Sequence, residues 1–144
     1  MRRAMTAVAI IAAAAFGTSA LSAQDFTGKR FDVTLSGADH VEGGDPDGSG
    51  SAMVRINLGQ RQLCYTLSVS GIQAANAAHI HEAPAGATGP VVVNLQAPSS
   101  GMSQGCVTIS REMARDLIQN PQDYYINVHN MEYPGGAVRG QLDM

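Results

Sequence analysis

His79 and His81 flank a single isoleucine, and His129 closes a second apolar run, Tyr125-Ile126-Asn127-Val128-His129. Neutral imidazole is a good ligand for copper and zinc. Three of them brought together could hold one transition-metal ion and leave a coordination position open. Residues two apart in a strand project to the same face. Ile80 requires burial, which places His79 and His81 on the outer face of a sheet; Ile126 and Val128 do the same for His129. The set His79, His81 and His129 can therefore converge if its two strands are close, and the expected occupant is copper, with zinc second. The plain alternative is that these histidines only hydrogen-bond to neighbouring loops. His40, beside an acidic loop, is a weaker candidate for a fourth ligand, or else simply an exposed residue.

Other chemistries find little support. The chain has no P-loop and no GxGxxG following a strand, and no Ser/His/Asp spacing singles out a triad. No catalytic residue and no organic cofactor are assigned. In the segment Gly43 to Gly50, Asp45 and Asp47 resemble the start of a calcium loop. The distal Glu and flanking helices of an EF-hand are missing, so a solvated turn is expected. Tyr124, Tyr125 and Tyr133 border the His129 run, where they could support the site or simply pack.

The elements that must position the histidines are short strands divided by Gly, Pro, Asn and Asp. Phe31 to Leu35 and Val54 to Leu58 alternate apolar and polar; Gly59-Gln60-Arg61 makes a tight connection, and Leu63 to Val69 runs back. Ala77 to His81, Val91 to Leu95, Cys106 to Ile109, Tyr124 to His129 and Ala137 to Leu142 bring the count to about eight. The expected fold is all-β, an antiparallel Greek-key sandwich or barrel. One short connecting helix is expected near 111–119, with Ser110 as its cap, Glu112 in the first turn, Met113, Leu117 and Ile118 at helical spacing, and Asn120-Pro121 as its stop.

The N-terminus bears on location. Arg2 and Arg3 precede an apolar run from Ala7 to Phe16, and small residues follow at Thr18-Ser19-Ala20 and Ser22-Ala23. That order reads as a secretory signal peptide over 1–23, with cleavage after Ala23 or Ala20, and the run is too short to span a bilayer. One domain over 24–144 remains, secreted or periplasmic and without membrane insertion once the signal is removed. It carries seven basic and twelve acidic residues, a net charge of −5. With no basic patch, nucleic acid is not an expected partner. Cys64 and Cys106, an even pair in an exported domain, read as one disulfide, with free or metal-binding thiols as the alternative.

The run Cys64 to Ile72, then Ala78-His79-Ile80-His81, then Gly89-Pro90-Val91-Val92-Val93, resembles the CHRD domain family. So does Tyr124 to His129 followed by Tyr133-Pro134-Gly135-Gly136-Ala137-Val138-Arg139-Gly140-Gln141-Leu142. The resemblance covers nearly everything from Phe26 onward, and implies an exported β domain without specifying a reaction. A second resemblance is to copper/zinc superoxide dismutase, an eight-stranded Greek-key barrel. His79, His81 and His129 match copper histidines of that family in order and setting, and Arg139 loosely matches the arginine near its copper. The stretch Glu82 to Pro90 contains no histidine and is too short for that family's zinc loop, which argues against a zinc subsite and against efficient dismutation. Arg139 and Tyr125 are therefore candidates to support the histidines rather than to act on a substrate. The resemblances imply an exported metal-binding domain, with two alternatives. One is a metal-free module that binds an extracytoplasmic protein through loops 42–50 and 82–90. The other is a redox enzyme of the superoxide-dismutating kind.

Overall fold

A computed structural model describes residues 28–143. The expected signal peptide therefore lies outside the described residues. Eight strands follow in chain order: β1 (Lys29–Ser36), β2 (Ser49–Asn57), β3 (Gln62–Ser70), β4 (Ala75–Glu82), β5 (Val91–Leu95), β6 (Met102–Thr108), β7 (Tyr124–Asn130) and β8 (Val138–Gln141). A single helix, α1 (Arg111–Gln119), and a 3-10 turn at Pro121–Asp123 join β6 to β7. All pairings are antiparallel, in the order β5-β4-β7-β8-β1-β2-β3-β6. The connections β3–β4, β5–β6 and β6–β7 all cross between the two halves of the sheet, which gives a nearly closed all-β barrel of Greek-key type.

Alternation in the strands decides what enters the barrel. Phe31, Val33 and Leu35 of β1, Val54 and Ile56 of β2, and Leu63 and Leu67 of β3 point inward and are buried. Ile80, Ile126 and Val128 meet them from the other half. Each such side chain contributes roughly 1.5–3 kcal/mol when fully buried. Helix α1 plugs this core with Ala114 and Leu117. Its first turn is capped as the sequence predicts, by the Ser110 hydroxyl accepting from the Met113 N–H at 3.0 Å. The Tyr124 hydroxyl donates to Asp116, which ties the helix to the start of β7. That bond, followed by one from Asn120, holds the Asp116 carboxyl below its usual range.

The halves β6-β3-β2-β1 and β8-β7-β4-β5 are joined at one pairing, Ser36 opposite Arg139. Gly140 permits this join. A Cβ there would sit 2.1 Å from the Thr34 carbonyl oxygen and under 3 Å from Val33 and Leu35. Two elements run longer than the sequence indicates. The loop expected up to Gly50 ends at Gly48, because Ser49 and Gly50 already pair with Ser36 and Leu35. Strand β6 starts at Met102 rather than Cys106, since Ser103, Gln104 and Gly105 pair with β3 without an apolar alternation to announce it.

Cys64 and Cys106 lie directly opposite one another on β3 and β6, with their sulfurs 2.05 Å apart. The disulfide fastens the edge strand β6 to the sheet. Closing this loop stabilises the fold by about 3–4 kcal/mol in the chain-entropy account. The loop around Asp45 is a turn closed on itself: the Asp45 carboxylate accepts from the Asp47 N–H at 3.0 Å. Among the described residues no helix is long and apolar enough to cross a membrane.

Candidate metal centre

Strands β4 and β7 are neighbours, and their register sets the three histidines side by side. His81 lies opposite Tyr125, His79 opposite Asn127, and Ala77 opposite His129. With Ile80, Ile126 and Val128 inside the barrel, the outer face of this ribbon carries His79, His81, Tyr125, Asn127 and His129. One ring nitrogen from each histidine lies within 4.8 Å of the others, the one such group of potential metal ligands among the described residues. Two nitrogens each about 2.1 Å from a common ion stand at most about 4.2 Å apart. Three nitrogens around one ion stand closer than that limit, about 3.4 Å apart in a tetrahedral site, so a contraction of up to about 1.4 Å brings this set to coordination distance.

Hydrogen bonds to carbonyl oxygens fix which nitrogens carry protons. His81 Nδ1 lies 2.9 Å from the Gly89 oxygen, and His129 Nδ1 lies 3.0 Å from the Pro134 oxygen. A carbonyl only accepts, so both rings are Nδ1–H tautomers and each Nε2 presents a lone pair. His81 is 8% exposed, and its buried Nε2 has no hydrogen-bond partner. A buried acceptor left unpaired costs about 1–3 kcal/mol, and a metal ion beside it would supply the missing partner. His129 Nε2 lies 3.1 Å from His79 Nδ1. Burial, with the neighbouring His129 and His81 rings, pushes the His79 pKa below its ordinary 6.5. Burial also lowers that of His129, against the opposing bond to Pro134. Both rings are thus uncharged at neutral pH, the form that ligates.

The residues around the histidines are arranged as supports. Tyr125 stacks on His81 with ring centroids 4.8 Å apart and planes within 10°. The Arg139 guanidinium covers the far face of that stack, 3.4 Å from the Tyr125 centroid. Arg139 also donates to the carbonyls of Ala87 (2.6 Å) and Pro84 (3.1 Å), and Gln141 donates to Ala83 at 2.8 Å. Together they pin loop 83–90, whose Gly89 both accepts from His81 and donates its N–H to the Tyr125 hydroxyl. Arg139 makes no ion pair among the described residues, and burial lowers its pKa. It orders this loop, as a residue of β8 facing the histidines can.

Two expectations need correction. His81 does not stand open on that outer face, because loop 83–90 folds over it and buries it. His40 is neither a fourth ligand nor an exposed residue: it is buried, its Nδ1 accepts from the Glu42 N–H, and its Nε2 donates to the Gly135 oxygen at 2.8 Å. The sequence also gave no notice of Asn127, whose amide donates to the same Gly135 oxygen at 3.0 Å and so holds the β7–β8 turn that carries Pro134. A polar residue facing outward on a strand carries no signal that a loop will cover it.

Barrel and site define an all-β domain that displays three convergent imidazoles on the outside of its sheet. The chain belongs to the CHRD domain family, whose model matches residues 31–142. Searches of the curated proteins and of the solved structures returned no match.

Proposed function

We propose that the protein is an exported domain that binds one transition-metal ion through His79, His81 and His129, copper in preference and zinc second. The observation that carries this reading is the buried, unpartnered Nε2 of His81, aimed into a cluster of two further neutral imidazoles. The carbonyls of Gly89 and Pro134 serve the purpose that outer partners of metal-bound histidines usually serve, fixing tautomer and ring orientation. Three nitrogen ligands with no carboxylate among them favour copper over calcium, magnesium or manganese. Export is supported by the order of basic, apolar and small residues in 1–23 and by the Cys64–Cys106 pairing.

Metal content tests the reading directly. The mature chain, produced in an oxidising compartment and dialysed against trace copper and zinc, should retain one ion per chain by elemental mass spectrometry. The variant with His79, His81 and His129 all changed to Ala should retain none. Equal metal in both, or none in either, would reject the site and leave a disulfide-stapled interaction module as the better account.

Acid should release the ion. The lowered pKa values of His79 and His129 keep their nitrogens free at and above pH 6.5, so retention is complete there. Protons compete as pH falls below 6.5, and the metal-free fold loses stability over the same window because the unfolded chain binds protons more readily. Dialysis of the loaded protein at steps from pH 7.5 to pH 4 measures this; retention unchanged at pH 4 would exclude imidazole ligands.

A further inference from the structure

The three ligands are not held alike. His81 is fixed by the Gly89 oxygen, by the Tyr125 ring and, through Tyr125, by Arg139. His129 is fixed by the Pro134 oxygen, and its turn is pinned by Asn130 accepting from the Tyr133 N–H at 2.7 Å and by His40 and Asn127 donating to Gly135. His79 has no carbonyl or carboxylate partner among the described residues; its one hydrogen bond goes to His129 Nε2. Its cross-strand neighbours, Asn94 of β5 and Asn127 of β7, make no bond to it. Since His129 Nδ1 already donates to Pro134, His129 Nε2 is the acceptor in that contact and His79 Nδ1 carries the proton.

We propose that His79 is the exchange ligand of the centre, the residue through which an ion is locked in and let go. This rests on the metal-binding reading above. An ion would seat on the unpartnered lone pair of His81 Nε2 and take that of His129 Nε2 by displacing the His79 N–H that occupies it. It is locked when His79, released from His129, gives up its Nδ1 proton and turns the lone pair so freed toward the ion. The proton on Nδ1 passes to water and Nε2 takes one from water, so His79 stays neutral and changes tautomer, whereas His81 and His129 keep their Nδ1–H bonds to carbonyls throughout. The contraction needed to reach coordination distance falls on the one ring held only by another ligand and by no carbonyl. A centre with two fixed ligands and one loose one suits an ion that is carried and handed on.

Imidazole 15N spectra of the metal-free and zinc-loaded protein test this, zinc being diamagnetic. His79 should switch from the Nδ1–H to the Nε2–H tautomer on loading, while His81 and His129 remain Nδ1–H in both states. Dissociation into excess chelator gives a second readout. His79→Ala should still bind one zinc, with lower affinity and faster release, while His81→Gln and His129→Gln should fall below stoichiometric binding. An unchanged His79 tautomer, or three variants equally impaired, overturns the inference and leaves the metal site standing. A wild-type chain that binds neither copper nor zinc removes both.

Discussion

Gly140→Ala should lower the stability of the domain by about 3 kcal/mol or more, although it adds a single methyl group. The added carbon would lie 2.1 Å from the Thr34 carbonyl oxygen, with Val33 and Leu35 closing the space on either side. Backbone and packed core surround it, so the strain can be relieved only by parting β8 from β1. That is the one pairing that joins the two halves of the barrel. Urea unfolding measures the loss as a lower midpoint. Gly59→Ala is the control, since its Cβ would meet nothing closer than the Asn57 side chain at 3.4 Å and its effect should stay within about 0.5 kcal/mol. A Gly140→Ala midpoint close to that of the wild type would show that the halves are not held at this join.

Arg139→Met should weaken metal binding about 10–100-fold while the barrel remains folded. Methionine keeps much of the apolar stem but makes neither the bonds to Ala87 and Pro84 nor the cation contact with Tyr125. The loop that presents the Gly89 oxygen to His81 is then held by Gln141, by the Tyr125 hydroxyl and by its own turns. Isothermal titration with zinc gives the affinity, and hydrogen exchange at Ala83–Gly89 should rise in the same variant. An unchanged affinity would mean that His81 keeps its orientation without the loop.

The strands were legible because alternation is a local signal. Ile80 and Ile126, each set between polar neighbours, predict the outward turn of all three histidines, and the structure places them so. What decides that they meet is the pairing of β4 with β7, forty-odd residues apart in the chain, and no local pattern encodes it. The same limit explains β6, where Gly105 occupies a core-facing position that the ring of Tyr65 fills from the neighbouring strand. It also explains loop 83–90, whose residues, mainly Ala, Gly and Pro, show nothing of the carbonyls they lend to Arg139 and His81. Helix α1 was readable to the residue because its cap, its apolar spacing and its proline stop are all local.

The two edges of the sheet carry a different consequence. Neither Val91–Leu95 nor Met102–Thr108 contains a charged residue or a proline, the usual guards against strand addition by another molecule. Curvature supplies the guard instead. The barrel turns these edges toward one another, so that Val92 and Val93 share a groove with Val107 and Ile109, and the Ser103 hydroxyl donates across to Gln96 at 2.7 Å. The Cys64–Cys106 bond keeps one of the two edges from peeling away. Protection of these edges is therefore a property of closure, and a reducing environment that frees β6 would uncover two valine-bearing templates at once.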